Sequence, residues 1–245
     1  MLNVITSEFY KIFKSKVFMI LSVVLLTMFG IILASNLYYG EAAQQLSTGI
    51  SSYQEIYGQD ITYYLILIFV TCLITNEYTN GTIRQMACHG IARWKLVVGQ
   101  YIAMYLAIVC ILVLFGAAYS LVSTIFNEFG EVNFIALLGM SIGTLCMFFG
   151  VAGIGTLLAY LFKNGIAATL MGILFVLSKD LLAYLLKALT KSSIFTSYSF
   201  SNMRRIILDY TLSPKEVFIC SGIFLAVGVM TIVGSCLLFS KLDID

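Results

Sequence analysis

The sequence predicts an all-α, polytopic membrane protein, one transmembrane domain over residues 1–245, and three observations predict it. Hydrophobic residues make up 60% of the chain. Charged residues make up 11%, against roughly 25% in soluble domains. The few charges are spaced so that long windows hold none, and an uncharged apolar run of about 18 residues or more is a candidate membrane span.

Reading those windows in order gives six spans, near 17–39, 60–76, 96–127, 132–162, 165–187 and 216–240. The second is short because Asp60 and Glu77 bracket it. The third and fourth would each reach roughly 45 Å as helices, longer than the ~30 Å hydrocarbon core but too short for two crossings and a turn. Each is therefore expected to be one long or tilted helix.

Six spans put both termini on one side, and basic residues say which. Lys11, Lys14 and Lys16 precede the first span, Arg84, Arg93 and Lys95 separate the second and third, and Lys163 and Lys241 complete the set. The loops 40–60 and 127–133 carry Glu41, Glu55, Asp60, Glu128 and Glu131, and no Lys or Arg. The positive-inside rule makes both termini cytoplasmic. Segment 188–215 conflicts with it, placing Lys191, Arg204, Arg205 and Lys215 outside, and is expected to fold into helices of its own.

Ahead of the first span, Leu2, Ile5, Phe9, Ile12 and Phe13 recur at helical spacing between Glu8, Lys11 and Lys14. That stripe predicts an amphipathic helix over 1–16, lying in the cytoplasmic interface. At the last span, Ser213, Pro214 and Glu216 read as N-cap, first helical residue and capping-box partner.

Composition excludes several function classes. A net charge of +2, with no basic cluster interleaved with aromatics, gives no footprint for nucleic acid. The first sixteen residues mix charged and apolar residues, unlike a signal peptide. Six cysteines without a C-x-x-C pair read as apolar fillers. His89 is the single histidine, and no H-E-x-x-H or phosphate-binding Gly-rich loop occurs. No metal site and no catalytic residue is expected, and any ATP must be bound by another subunit.

Two features carry open readings. Lys179 and Asp180 sit inside the fifth span, either as part of a translocation path or subunit interface, or snorkelling to the outer surface. Gly139, Gly143, Gly150, Gly153 and Gly155 give the fourth span a small-residue face, for packing within the bundle or against a second copy. Tyr38, Tyr39, Tyr63 and Tyr64 flank the first outer loop, as an aromatic belt would.

The stretch NEYTNGTIRQMACHG, residues 76–90, stands apart. Glu77 ends the second span and Asn80-Gly81 is a turn dipeptide. Thr82 then caps a short helix, Ile83 to His89, which Gly90 ends. Arg84 projects from its first turn, and Arg93 leads into the third span. A rigid helix presented to the cytoplasm has the form of a docking element, since a plain connector needs only a few residues.

Glu77, Gly81, Thr82, Arg84 and Arg93 resemble the E-x-x-x-G-T pattern with trailing basic residues of the ABC-2 type transporter permeases. Gln100 stands where family members often carry Lys. The resemblance covers the layout of nearly the whole chain and about twenty residues by motif. It implies a permease subunit of a bacterial plasma membrane, not itself an enzyme, and a coupling helix near 82–90 that seats in an ATPase subunit. It also implies two ATPase copies binding ATP and magnesium, and a second permease, identical or a sister chain. Systems of this size suggest export of a peptide or hydrophobic substrate, with antimicrobial-peptide or bacteriocin export or immunity as the specific expectation. The competing expectation is a stand-alone membrane receptor or immunity protein that binds a peptide without transporting it.

Overall fold

The computed structural model describes residues 2–39, 48–82, 92–126, 129–130, 133–191, 194–209 and 214–241. Among these residues the secondary structure is helical throughout, with no strand. In chain order the helices are α1 (Leu2–Lys14), α2 (Lys16–Tyr39), α3 (Gly49–Gly58), α4 (Asp60–Thr79), α5 (Arg93–Phe126) and α6 (Phe134–Phe162). They continue with α7 (Gly165–Leu177), α8 (Lys179–Thr190), α9 (Ile194–Ser197), α10 (Phe200–Leu208) and α11 (Pro214–Lys241). By length and composition α4, α5, α6 and α11 can each cross a membrane, and α1 with α2 adds a fifth candidate, bent by 57°. The protein is a multi-pass membrane protein.

Serine 15 makes that bend. Its hydroxyl donates to the Ile12 carbonyl at 2.8 Å, and its oxygen accepts the Phe18 amide at 3.1 Å. One side chain thus closes α1 and caps the N-terminus of α2. The apolar stripe of α1 turns mostly toward protein: Ile12 is buried, and Val4, Ile5 and Phe9 pack against the core. Gly99 of α5 leaves room for Val4.

The centre of the bundle is α6, packed most closely on α11 and α4. Its glycines explain both seams. A methyl at Gly150 would meet the backbone and ring of Phe224, and one at Gly153 would meet Gly228 and Thr231, all on α11. Gly155 faces Leu67 and Val70 of α4. The small-residue face therefore serves packing within the chain, where close backbone approach gives helices their contact. Gly139 alone among these five faces open space.

The stretch 165–187 is not one helix. Its apolar part, α7, has 13 residues, or about 20 Å at 1.5 Å per residue, short of the hydrocarbon core. The chain turns at Ser178 (φ −86°, ψ 2°) and restarts as the amphipathic α8. The polar run Ser178-Lys179-Asp180 is the cause. Opening a new helix, rather than lying in the middle of one, lets Asp180 sit in a first turn, where the helix dipole favours an anion.

The segment 40–60 holds a helix where the sequence suggests only a loop. Thr48 caps α3 by accepting the Ser51 amide, and Ile50, Ile56 and Tyr57 are buried. Tyr63 is also fully buried, its hydroxyl donating to the Tyr57 carbonyl at 2.7 Å, so it belongs to the core rather than to an interfacial belt. Tyr38 is 84% exposed. At the start of α11, Pro214 opens the helix with Glu216 in its first turn, whereas Ser213 lies outside the described residues.

A candidate coupling site at the end of α4

Four helices bring polar side chains together where α4 ends. Glu77 lies in the last turn of α4, the buried Glu8 and the more exposed Lys11 one turn apart on α1, Gln100 on α5 and Tyr160 near the end of α6. Lys11 Nζ is 2.6 Å from Glu8 Oε1 and 3.6 Å from Glu77 Oε1. Gln100 donates its amide to Glu77 Oε2. The same amide accepts the Tyr160 hydroxyl at 2.6 Å. Glu8, Lys11, Glu77 and Gln100, together with Asn76 and Asn80, border a cavity of about 270 Å³.

Burial sets the stakes here. Glu8 is 3% exposed and Gln100 is 6% exposed. A buried carboxylate without a partner is strongly unfavourable, so Lys11 and the Gln100 amide are what let two acids sit together. Partial burial alone would lower the affinity of Lys11 for its proton, but hydrogen bonding and charge from Glu8 and Glu77 outweigh it and hold the lysine above its usual range.

The chain leaves α4 through a fixed turn. The Asn80 amide bonds the Asn76 carbonyl at 3.0 Å, and the Gly81 amide bonds the Tyr78 carbonyl at 3.2 Å. Gly81 has φ +68°, the left-handed conformation that side-chain-bearing residues rarely adopt. The Thr82 hydroxyl donates to the Glu77 carbonyl at 3.2 Å, turning back to α4. The expected helix Ile83–His89, and Arg84 with it, lies outside the described residues.

Arg93, the first residue of α5, reaches the end of α11. Its guanidinium donates to the carbonyls of Phe239 at 3.4 Å and Ser240 at 3.1 Å. These are among the last carbonyls of that helix, which a cation satisfies both as donor and as charge. Glu77, Gly81, Thr82 and Arg93 thus share one end of the bundle.

Lys179 and Asp180 belong to the opposite end. The side chain of Lys179 is outside the description, while Asp180 accepts the Ser201 hydroxyl at 2.8 Å and so ties α8 to α10. There Arg204 of α10 lies 2.5 Å from Asp60, the first residue of α4, and 5.3 Å from the Tyr63 ring centre. Its positive charge is answered by a specific partner. Gln54, Gly58, Ser201, Arg204, Arg205 and Asp209 line an open groove of about 740 Å³ beside this pair.

Sequence reasoning missed Glu8, Lys11, Gln100 and Tyr160 as members of the site. Glu8 and Lys11 are three residues apart on one helix face, a readable pair. Gln100 was visible only as a departure from a pattern, and nothing in the sequence marks Tyr160.

Among curated proteins no relative matches this chain. The family described as ABC-2 family transporter protein matches residues 4–179. That stretch takes in α1 to α7, the Glu77 cluster and Gly81. The ABC-2 proteins are membrane transport components that normally work with an ABC ATPase and generally carry no ATPase site of their own. On that match, spanning well over half of its length, the chain belongs to the ABC-2 transporter family.

Proposed function

We propose that this chain is the permease subunit of an ATP-driven exporter, coupling hydrolysis in a separate pair of ATPase subunits to outward movement of a peptide or other hydrophobic substrate. The observation that supports it best is family membership over residues 4–179, joined to a fixed turn at Gly81 directly after the Glu77 cluster. The segment beginning at Thr82 is the docking helix in this reading. Arg84 orients it and Arg93 fixes its exit. Nucleotide closing the ATPase pair shifts the groove that holds this helix, and the shift does work only because the contacts differ between the two states.

The same reading takes the chain across the bacterial plasma membrane six times, with α7 as a short fifth crossing and both termini cytoplasmic. Lys11 and Arg93 lie at the Glu77 end of the bundle, as a cytoplasmic face requires. A second permease, identical or a sister chain, completes the pathway, and ATP and magnesium stay with the ATPase. An antimicrobial peptide, exported or cleared for self-immunity, is the cargo we favour. The test is affinity purification from the native membrane with ATP-driven export measured in parallel. Gly81→Val and Arg84→Glu should each lose the ATPase, and retention of both ATPase and export would overturn the docking assignment.

A further inference from the structure

We propose that Gln100 is a positioning residue that carries displacement at the exit of α4 into α6, an inference resting on the permease reading above. Gln100 uses both ends of its amide. Nε2 donates to Glu77 Oε2, four residues before the turn at Gly81, and Oε1 accepts the Tyr160 hydroxyl at 2.6 Å. Tyr160 is 2% exposed and packs its ring against Tyr78 (5.8 Å between centres) and Phe239 (5.4 Å). One side chain thus joins α4, α5 and α6 by hydrogen bonds, in a place where a broken bond would strand a buried polar group. Beyond Tyr160, α6 is seated on α11 through Gly150 and Gly153, so a shift of α6 takes α11 with it.

The chemistry of the side chain is specific to this task. A carboxylate at position 100 would set like charge against Glu77. A lysine would still meet Glu77 but has no acceptor for the Tyr160 hydroxyl. A lysine ammonium can still donate to the phenol oxygen, so the clean cuts are Tyr160→Phe, which removes only the α5–α6 link by taking away a single oxygen, and Gln100→Leu, which removes both links.

The experiment uses the full chain with its co-purifying ATPase in lipid nanodiscs, read by hydrogen–deuterium exchange without nucleotide and with ADP–vanadate. In the wild type, nucleotide should change exchange in residues 92–100 and in 155–163. In Tyr160→Phe the first change should persist and the second be lost. In Gln100→Leu the second should be lost as well, and the double variant should match Gln100→Leu at 155–163. A merely structural contact would shift exchange without nucleotide and leave the nucleotide-dependent difference in place. Should Gln100→Leu fail to fold, Tyr160→Phe carries the test alone. A nucleotide response at 155–163 that survives in Tyr160→Phe overturns the proposal by itself. A wild-type chain that binds no ATPase overturns the permease reading and the proposal together.

Discussion

The hydroxyl of Tyr57 occupies the place where a side chain on residue 116 would stand. It passes across Gly116 of α5 and donates to the Leu112 carbonyl at 2.8 Å, which seats α3 against the long helix. A methyl at position 116 would overlap the phenol, and the phenol is 1% exposed with little room to retreat. Gly116→Ala should destabilise the protein by about 1–3 kcal/mol, the usual range for overpacking. Thermal unfolding in detergent reads this, and Tyr57→Phe combined with Gly116→Ala should recover part of the loss.

The glycines of α6 give a matched pair. Gly150 faces the backbone of α11 and Gly139 faces open space. Gly150→Ala must push α6 and α11 apart, costing about 1–3 kcal/mol. Gly139→Ala should be neutral or stabilising by up to about 1 kcal/mol, because alanine favours helix over glycine. Equal melting temperatures for the two variants would show that the α6–α11 seam is misdrawn.

At Gly81 the backbone sets the constraint, since nothing lies near the site of a Cβ. Asparagine tolerates the left-handed conformation and a β-branched residue does not. Gly81→Asn should keep ATPase association close to wild type, whereas Gly81→Val should lose most of it. Quantifying the ATPase retained on affinity-purified permease separates these outcomes. Identical retention in both variants would remove the turn from the coupling path.

Lys11 and Glu8 form a pair whose separate loss differs from its joint loss. Lys11→Met leaves the nearly inaccessible Glu8 without its cation, at a cost of about 2 kcal/mol or more. Glu8→Gln on that background should return much of the stability. Thermal unfolding of the single and double variants in detergent measures this, and a double variant no more stable than Lys11→Met would contradict the ion pair.

Class and outline were legible in the sequence because they follow from long uncharged windows, which need no knowledge of what packs on what. The site was legible only where local backbone rules act, as at Asn80-Gly81. Gln100 and Tyr160 are sixty residues apart, and their meeting depends on how α5 lies along α6, a relation no local pattern encodes. The same reason hid the burial of Tyr63, which resembles an interfacial tyrosine until α3 and α10 are folded over it. Arg204 looked misplaced by charge-counting rules, because those rules do not know that Asp60 waits beside it. The short length of α7 was readable in principle, since Ser178-Lys179-Asp180 interrupts its apolar run.

Arg204 and Asp60 also invite a double-mutant cycle. Both are partly accessible, and exposed or semi-exposed ion pairs contribute about 1 kcal/mol or less. Replacing each by Ala, singly and together, should give a coupling energy near that value. A coupling of zero would mean that α10 is held over α4 by apolar contact such as that of Phe200 on Tyr63.

The brevity of α7 bears on the surrounding lipid. As the fifth crossing proposed above, this 13-residue helix would leave roughly 10 Å of hydrocarbon thickness unmatched. Bilayers answer such a deficit by thinning locally, at a fraction of a kcal/mol per Å. Leu174 and Leu177 are exposed along this helix, and headgroups and water would be drawn down beside them toward Ser178. In that reading the protein carries its own dent in the membrane, and lipids of longer chain should make that dent, and any motion that deepens it, more costly.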